Sequence, residues 1–305
     1  MYTFIINPNA RSGLGSKVWS QLEPELQKQH VDYRVLFTKY QRHATQLVAE
    51  LTSDGQKHTI VALGGDGTVN EVINGIKDCT KVTLGYIPIG SSNDFARYFH
   101  LNSSPAEALK RILSPTGYSY MNLGVVTYQN KRRRFAVSSG IGFDAAVCHQ
   151  AVISRLKIIL NRLHLGRLTY VGIALDRIIH STPGHMKLIL DNGKVLEFEK
   201  TFFATAMNHP YEGGGFKFCP NANPCDDVLN VTVIAGLPKW KILLLLPTAY
   251  FGWHTHFHGV YTYTCKEAEI ESEQALPVHT DGEPVFLQRN LHMSLEQEHL
   301  KIITS

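Results

Sequence analysis

The sequence predicts an α/β plus β-rich protein of two domains. The first, residues 1–121, is an N-terminal α/β domain on a parallel sheet; the second, 122–289, is C-terminal, antiparallel and β-sandwich-like, with inserted helices. Three observations predict this. The first third alternates short apolar runs with segments whose apolar residues recur at helical spacing, the βα rhythm of a parallel sheet. From about Met121 that rhythm gives way to short strand patterns and a strong hairpin signal. The 305 residues, 44% hydrophobic and 18% charged, are long for one compact core and comfortable for two. A last strand-like stretch, about 290–305, is expected to return to the first domain.

Each element follows from local pattern. Residues 3–6 read as a buried strand, broken by Asn7-Pro8 and the Ser12-Gly13-Leu14-Gly15 loop. A helix follows with Val18, Leu22 and Leu26 on one face, and Pro24 placed to disturb its start or straightness. Residues 32–38 form a second strand. Ala44, Leu47, Val48 and Leu51 fall at i, i+3, i+4 and i+7, an amphipathic helix. Residues 58–63 are a third strand, followed by a glycine turn and a helix marked by Val69, Val72, Ile73 and Ile76; 82–88 are a fourth strand. In the second domain, 186–190 and 194–198 flank Asp191-Asn192-Gly193, residues suited to the φ > 0 positions of a type I′ hairpin turn. Further strands are expected at 201–206, 228–235, 260–264 and 268–271, with helices at 145–163 and 166–180.

Composition narrows the function classes. A net charge of +4 is too mild to argue for nucleic acid. No stretch approaches the ~20 apolar residues of a membrane span; the nearest, residues 242–246, meets Pro247. The start has no basic n-region or small-residue cleavage site, and the five cysteines form no CxxC pair. Reduced thiols in a cytoplasmic protein are the expectation.

The most informative segment is Gly64-Gly65-Asp66-Gly67-Thr68, between a buried strand and a helix. Open α/β sheets offer their crevice at such places. Glycines let backbone amides approach an anion, and the following helix presents N–H groups and partial positive charge to phosphate. Asp66 would repel phosphate directly, but it suits a Mg²⁺ ion lying between them. The plain alternative is a tight βα turn that binds nothing; three glycines, an acid and a hydroxyl before a clean helix favour phosphate. A Walker A loop is excluded, because Gly15-Ser16-Lys17 does not supply GxxxxGK[ST]. The dinucleotide GxGxxG fails at Val18.

That turn extends to Val69-Asn70-Glu71-Val72 and is followed by Pro88-Ile89-Gly90-Ser91-Ser92-Asn93-Asp94-Phe95-Ala96-Arg97. With Gly140-Ile141-Gly142-Phe143-Asp144-Ala145, Gly213-Gly214-Gly215-Phe216-Lys217, Asp226-Asp227 and Asp281-Gly282-Glu283, the chain resembles the diacylglycerol kinase catalytic family. More closely it is similar to that family's soluble bacterial lipid kinases, relatives of the sphingosine kinases. The resemblance implies ATP in an interdomain cleft and a lipid hydroxyl, diacylglycerol by default, as phosphoryl acceptor. It implies a nucleotide site lined by Asn7, Ser12, Gly13, Thr38, Gly64, Gly65, Asp66, Gly67, Thr68, Asn70, Ser91 and Asn93. Asp66 and Asp94 would hold the catalytic Mg²⁺ through its waters. Glu283 would accept the hydroxyl proton, with Asp281 beside it; a carboxylate in hydrogen-bond reach can do so. The plain reading of Asp281-Gly282 is a hairpin turn. Pro224, Asp227 and Leu229 would supply a structural Mg²⁺ loop, against the alternative of a surface turn with two solvated aspartates. The chain departs from the family pattern at Ser91 (usually threonine), Val228 (usually glycine) and Asn122 (usually aspartate). Asn122 removes a negative charge from the metal–water network.

Other features carry less. His254, His256 and His258 alternate and on a strand would share a face, yet no fourth zinc ligand is evident. Lys131-Arg132-Arg133-Arg134 reads as a solvated hairpin tip that could add attraction to anionic headgroups, each charge worth about 1 kcal/mol near a membrane surface. The apolar stretches 153–168 and 243–251 suit an acyl-chain pocket or core packing equally. The resulting expectation is an ATP- and Mg²⁺-dependent lipid kinase, cytoplasmic and transiently at the inner membrane surface, without nucleic acid, for which a homodimer is allowed. The rivals are NAD kinase chemistry on the same turn and a lipid-binding regulator with a weakened site.

Overall fold

The computed structural model describes residues 1–153, 176–191 and 193–305. The helices expected at 145–163 and 166–180, and the apolar stretch 153–168, therefore lie partly outside the described residues. The chain divides into two compact units, Met1–Leu123 with Glu296–Ser305, and Gly124–Leu295.

The first unit alternates strand and helix. β1 (Tyr2–Ile6), α1 (Ala10–Lys28), β2 (Tyr33–Phe37), α2 (His43–Leu51), β3 (His58–Gly64), α3 (Asp66–Gly75) and β4 (Val82–Pro88) are followed by α4 (Asp94–Tyr98), α5 (Pro105–Leu113) and β5 (Tyr118–Met121). Arg11, Ser12 and Gly13 have left-handed dihedrals, so the regular part of α1 starts after the expected loop. It then runs through Pro24, burying Val18, Trp19, Leu22 and Leu26. α5 starts at a capping box: the Ser104 amide donates to Glu107 Oε2 (2.9 Å), and the Glu107 amide donates to Ser104 Oγ (3.3 Å). Its buried face, Ala108, Leu109 and Ile112, joins Phe4, Ile6, Val61, Leu63 and Ile87 in the core.

β1 to β4 pair in parallel in the order β2-β1-β3-β4. The C-terminal strand β17 (Leu300–Ile303) inserts between β4 and β5, parallel to the first and antiparallel to the second. The chain leaves this unit at Leu123 and re-enters at Glu296, whose amide donates to Leu123 O (2.8 Å).

The second unit begins with β6 (Gly124–Tyr128), β7 (Lys131–Phe135), β8 (Ser138–Gly142) and α6 (Phe143–Ile153). Then come β9 (Gly184–Leu190), β10 (Lys194–Met207), the short pair β11 (Tyr211–Glu212) and β12 (Phe216–Lys217), β13 (Leu229–Ala235) and α7 (Lys239–Ala249). It ends with β14 (Val260–Cys265), β15 (Glu267–Thr280) and β16 (Glu283–Leu295). The strands expected at 194–198 and 201–206 are one continuous strand, β10, bent by a register shift between Phe198 and Thr201 where Lys200 has φ 53°. The strand expected at 268–271 is the start of β15, 14 residues long, which shifts register twice. These bends let β10 and β15 each pair with β9 at one end and β8 at the other, enclosing a core of Ile141, Leu188, Val231, Ile270 and Met293. Pro247 lies inside α7 and does not stop it.

Candidate active site

The residues expected to bind nucleotide gather at one edge of the first sheet. Asn7 follows β1, Thr38 follows β2, Gly64 to Thr68 close β3, and Ser91 and Asn93 follow β4. These are the carboxyl ends of four neighbouring parallel strands, where α/β sheets bind ligands. Backbone bonds tie the edge together: Asn7 N donates to Leu63 O (3.0 Å), Thr38 N to Ile6 O (2.8 Å) and Ile89 N to Gly64 O (2.8 Å). Asn7 Nδ2 donates to Thr68 Oγ1 (3.4 Å). Ser12, Gly13 and Ser91 are exposed. Asn70 is buried one turn into α3, where its carbonyl accepts from Asn74 Nδ2 (2.8 Å).

Two glycines allow the loops to meet. A Cβ on Gly90 would lie 2.7 Å from Gly65 Cα and 2.6 Å from Asn93 Oδ1, and one on Gly64 would collide with Thr68. Across this contact, Asp66 Oδ2 accepts from Asp94 N (3.2 Å) and Asp66 Oδ1 from Phe95 N (3.3 Å). The Asp66 carboxylate thus caps the first turn of α4 and fixes Asp94 beside itself. Asp94 is buried, with Oδ1 3.6 Å from Arg97 Nε. Beneath the two loops, the buried Tyr86 hydroxyl lies 3.3 Å from both Gly64 O and Asn93 Oδ1. Burial, and then the charges of Asp66 and Asp94, push its phenol well above the ordinary tyrosine range. Two carboxylates thus both act on the Tyr86 hydroxyl, hard oxygen donors of the kind that suit a magnesium-sized cation.

In the second unit, Asp281 and Gly282 are the two turn residues between β15 and β16, with φ 50° and 78°, the dihedral signs of a type I′ hairpin. The plain turn reading thus describes the backbone, and the side chain adds more. Asp281 Oδ2 accepts from Ala136 N (2.9 Å), and Oδ1 accepts from Val137 N (2.8 Å) and Ser138 N (3.0 Å). Three amides commit this carboxylate to holding the β7–β8 connection, which supports a positioning role. Glu283 is half-buried at the first position of β16, opposite Thr280.

Behind the hairpin, fully buried His279 has Nε2 3.1 Å from Asp144 Oδ2 and 3.3 Å from Glu212 Oε1, while its Nδ1 is 3.2 Å from Gly282 N. Gly140 makes the room; a Cβ there would lie 2.9 Å from His279 Nε2 and collide with Asp144. Burial opposes a charge on this imidazole, but Glu212, Asp144 and Asp281 outweigh it and raise the pKa from 6.5 to about 9. An uncharged ring accepts the Gly282 N–H at Nδ1; a charged ring donates from both nitrogens, so that contact must loosen. With two carboxylates on one nitrogen, the charged form is the one favoured at neutral pH. The folded pKa exceeds the unfolded one, so the stabilisation is complete below pH 6.5 and is lost as pH rises toward 9. Thermal unfolding of wild type is expected to weaken across that window more steeply than that of His279→Gln; parallel slopes would remove His279 as the cause.

The cluster of Cys148, Glu212 and His279 could also be read as metal ligands. His279 Nε2 already has two carboxylate oxygens within 3.3 Å, so a hydrogen-bonded ion cluster accounts for the arrangement without a metal. In the loop expected to hold a structural Mg²⁺, Asp226 and Asp227 are exposed, and Asp227 holds φ 60° just before Val228. Leu229 O already accepts from Cys265 Sγ (3.7 Å). The three histidines do not share a strand face: His254 to His256 lie in a 3-10 helix, Trp253–His256. His254 is buried, which lowers its pKa, and it bonds Phe218 O (3.3 Å).

Sequence reasoning missed Tyr86, Glu71, Glu212 and His279. Glu71 caps α2, accepting from Arg42 N (2.8 Å) and Ala44 N (3.1 Å). A tyrosine inside a mostly apolar parallel strand was the available signal for Tyr86, because a buried hydroxyl needs a partner. No local pattern pointed to Glu212 or His279.

Residues 1–119 match the diacylglycerol kinase catalytic domain, and residues 136–303 match the YegS C-terminal NAD kinase beta sandwich-like domain. Over 286 residues the chain is 31% identical to YtlR of Bacillus subtilis (strain 168), assigned as a lipid kinase, covering 92% of each. It is 27% identical to a diacylglycerol kinase of Mycobacterium tuberculosis (strain ATCC 25618 / H37Rv), covering 92% of this chain and 88% of that protein. A crystal structure from Bacillus anthracis str. Sterne, assigned as a diacylglycerol kinase, superposes with a TM-score of 0.77 at 25% identity, covering 100% of this chain and 95% of its own. An NAD kinase from Archaeoglobus fulgidus, in complex with ATP, shares the fold at a TM-score of 0.55 and 12% identity, covering 99% of this chain and 93% of its own. The chain therefore belongs to the diacylglycerol kinase catalytic family, of the bacterial lipid kinase type, and is a phosphotransferase.

Proposed function

We propose that this lipid kinase transfers the γ-phosphoryl group of ATP to the free hydroxyl of diacylglycerol. The observation that carries the reading is the gathering of Asn7, Thr38, Gly64 to Thr68, Ser91 and Asn93 at the carboxyl ends of four adjacent strands, with Asp66 and Asp94 side by side. Backbone amides at the start of α3 meet phosphate oxygens, and Asn7 and Thr68 orient them. Asp66 and Asp94 would hold Mg²⁺ through its waters, and the ion when bound supplies neutralisation of phosphate charge. Glu283 takes the acceptor's hydroxyl proton, and Asp281 fixes the turn that carries Glu283. The Pro224 carbonyl, Asp227 and the Leu229 carbonyl would hold a second, structural Mg²⁺. Asn122, buried and standing where the family resemblance implies an aspartate, weakens the metal–water network and lowers the rate rather than the affinity for ATP. Because the acceptor lives in a bilayer, the enzyme works from the cytoplasm at the inner membrane surface.

The test is an assay with radiolabelled ATP and Mg²⁺ across diacylglycerol, monoacylglycerol, sphingosine, ceramide and NAD. Label is expected in phosphatidic acid. Label in NAD, or nucleotide binding with no labelled lipid, would sink the proposal.

A further inference from the structure

α7 is apolar on both faces. On one face, Ile242 packs with Phe202, Phe203, Ile234, Leu237 and Val260, and Leu243 and Leu245 lean against that cluster. On the other, Trp240, Leu244 and Pro247 recur at i, i+4 and i+7, one stripe of the helical surface, and Phe251 follows in the turn just past the helix. These positions are open: Trp240 is 58% exposed, Leu244 66% and Phe251 58%. Just past the helix Trp253, 61% exposed, stacks on Phe251 with ring centroids 4.9 Å apart, and Tyr250 lies 5.5 Å from Phe251. A surface helix ordinarily turns polar residues to solvent. An apolar helix of 11 residues is too short to span a bilayer.

Charge identifies the partner. No acidic residue occurs from Val228 to Lys266, whereas Lys239 and Lys241 stand at the start of the helix. A second copy of the chain meeting this face about a two-fold axis would bring lysines toward lysines with no carboxylate of the segment to pair them. Tryptophan and tyrosine beside lysine are the residues that settle at a membrane–water interface. The face also leads to the acceptor chemistry. Tyr250 packs edge-on to Phe216 (5.9 Å), and Phe216 pairs with Glu212. Glu212 reaches His279 behind the Glu283 hairpin.

We propose that the exposed face of α7 and the turn after it, formed by Trp240, Leu244, Tyr250, Phe251 and Trp253, docks this kinase onto an anionic lipid bilayer. The proposal rests on the lipid-acceptor reading for its purpose, but its test is separate. Of the three tryptophans, Trp19 is buried in the first unit, so Trp240 and Trp253 report contact. Vesicles of phosphatidylglycerol are expected to blue-shift tryptophan emission, brominated lipid to quench it, and phosphatidylcholine vesicles or high salt to do less. W240D/F251D, and the milder W240S/F251S should the first fold poorly, are expected to lower the vesicle partition coefficient about tenfold or more. V195D, at an exposed apolar position elsewhere, should bind as wild type does.

Wild-type vesicle binding by W240D/F251D or W240S/F251S overturns the proposal. So does a dimer that these variants split without loss of vesicle binding, which would assign the face to a second copy. Patch-dependent vesicle binding by an enzyme that phosphorylates no dispersed short-chain diacylglycerol would sink the acceptor reading and leave the surface standing.

Discussion

Asp66→Ala is expected to bring lipid phosphorylation down by about 10³-fold or more, the loss of a charge-stabilising group at the centre of the transfer. Two effects add in that variant. The carboxylate is gone from the pair that faces the proposed Mg²⁺, and the amides of Asp94 and Phe95 lose their acceptor. Loss of such a cap costs about 1 kcal/mol and would let α4, and Asp94 with it, drift. Asp66→Asn separates the two, because the amide oxygen keeps one backbone bond and the charge is lost. Kinetic constants and thermal unfolding of both variants decide the matter. An Asp66→Asn enzyme with near wild-type kcat would show that Asp66 is only a cap.

The second large effect is a contrast within one hairpin. Glu283→Gln is expected to lower kcat by about 10²- to 10⁴-fold, the usual contribution of a positioned general base. KM for ATP and thermal stability should change little, since Glu283 is held in the sheet by backbone pairing with Thr280. Asp281→Ala should do the reverse first. It strips three amides of a charged acceptor, at a cost of about 3 kcal/mol, which lowers Tm by roughly 6–12 °C for a unit of this size. Its activity loss should follow the loosened turn and be partly restored in Asp281→Asn. An Asp281→Ala enzyme with unchanged Tm and no turnover would instead make Asp281 the proton acceptor.

Some of this was legible because it is local. The βα order of the first unit comes from apolar residues at helical or strand spacing, and Gly64 to Thr68 announces a turn because glycine alone permits such close approach. Asp281-Gly282 announces a hairpin by the same logic. The family motifs carried the activity class, since they extend through the chain in order.

What the sequence by itself determined is thus the βα series of the first unit through β4, the glycine turn after β3 and the class of reaction, because each depends on short local patterns. Only the tertiary structure decided the rest. It places β17 between β4 and β5, and bends β10 and β15 so that each serves two partners. It sets Asp66 over amides 28 and 29 residues away, and Asp281 over amides 143 to 145 residues away. It also leaves Trp240 and Leu244 on α7, and Phe251 just past it, uncovered among the described residues, in a stretch whose composition reads equally well as core. The physical reason is common to all of them. A carboxylate's partner, or an apolar face's cover, is chosen by which distant strand or loop arrives there, and residue spacing along the chain holds no record of that.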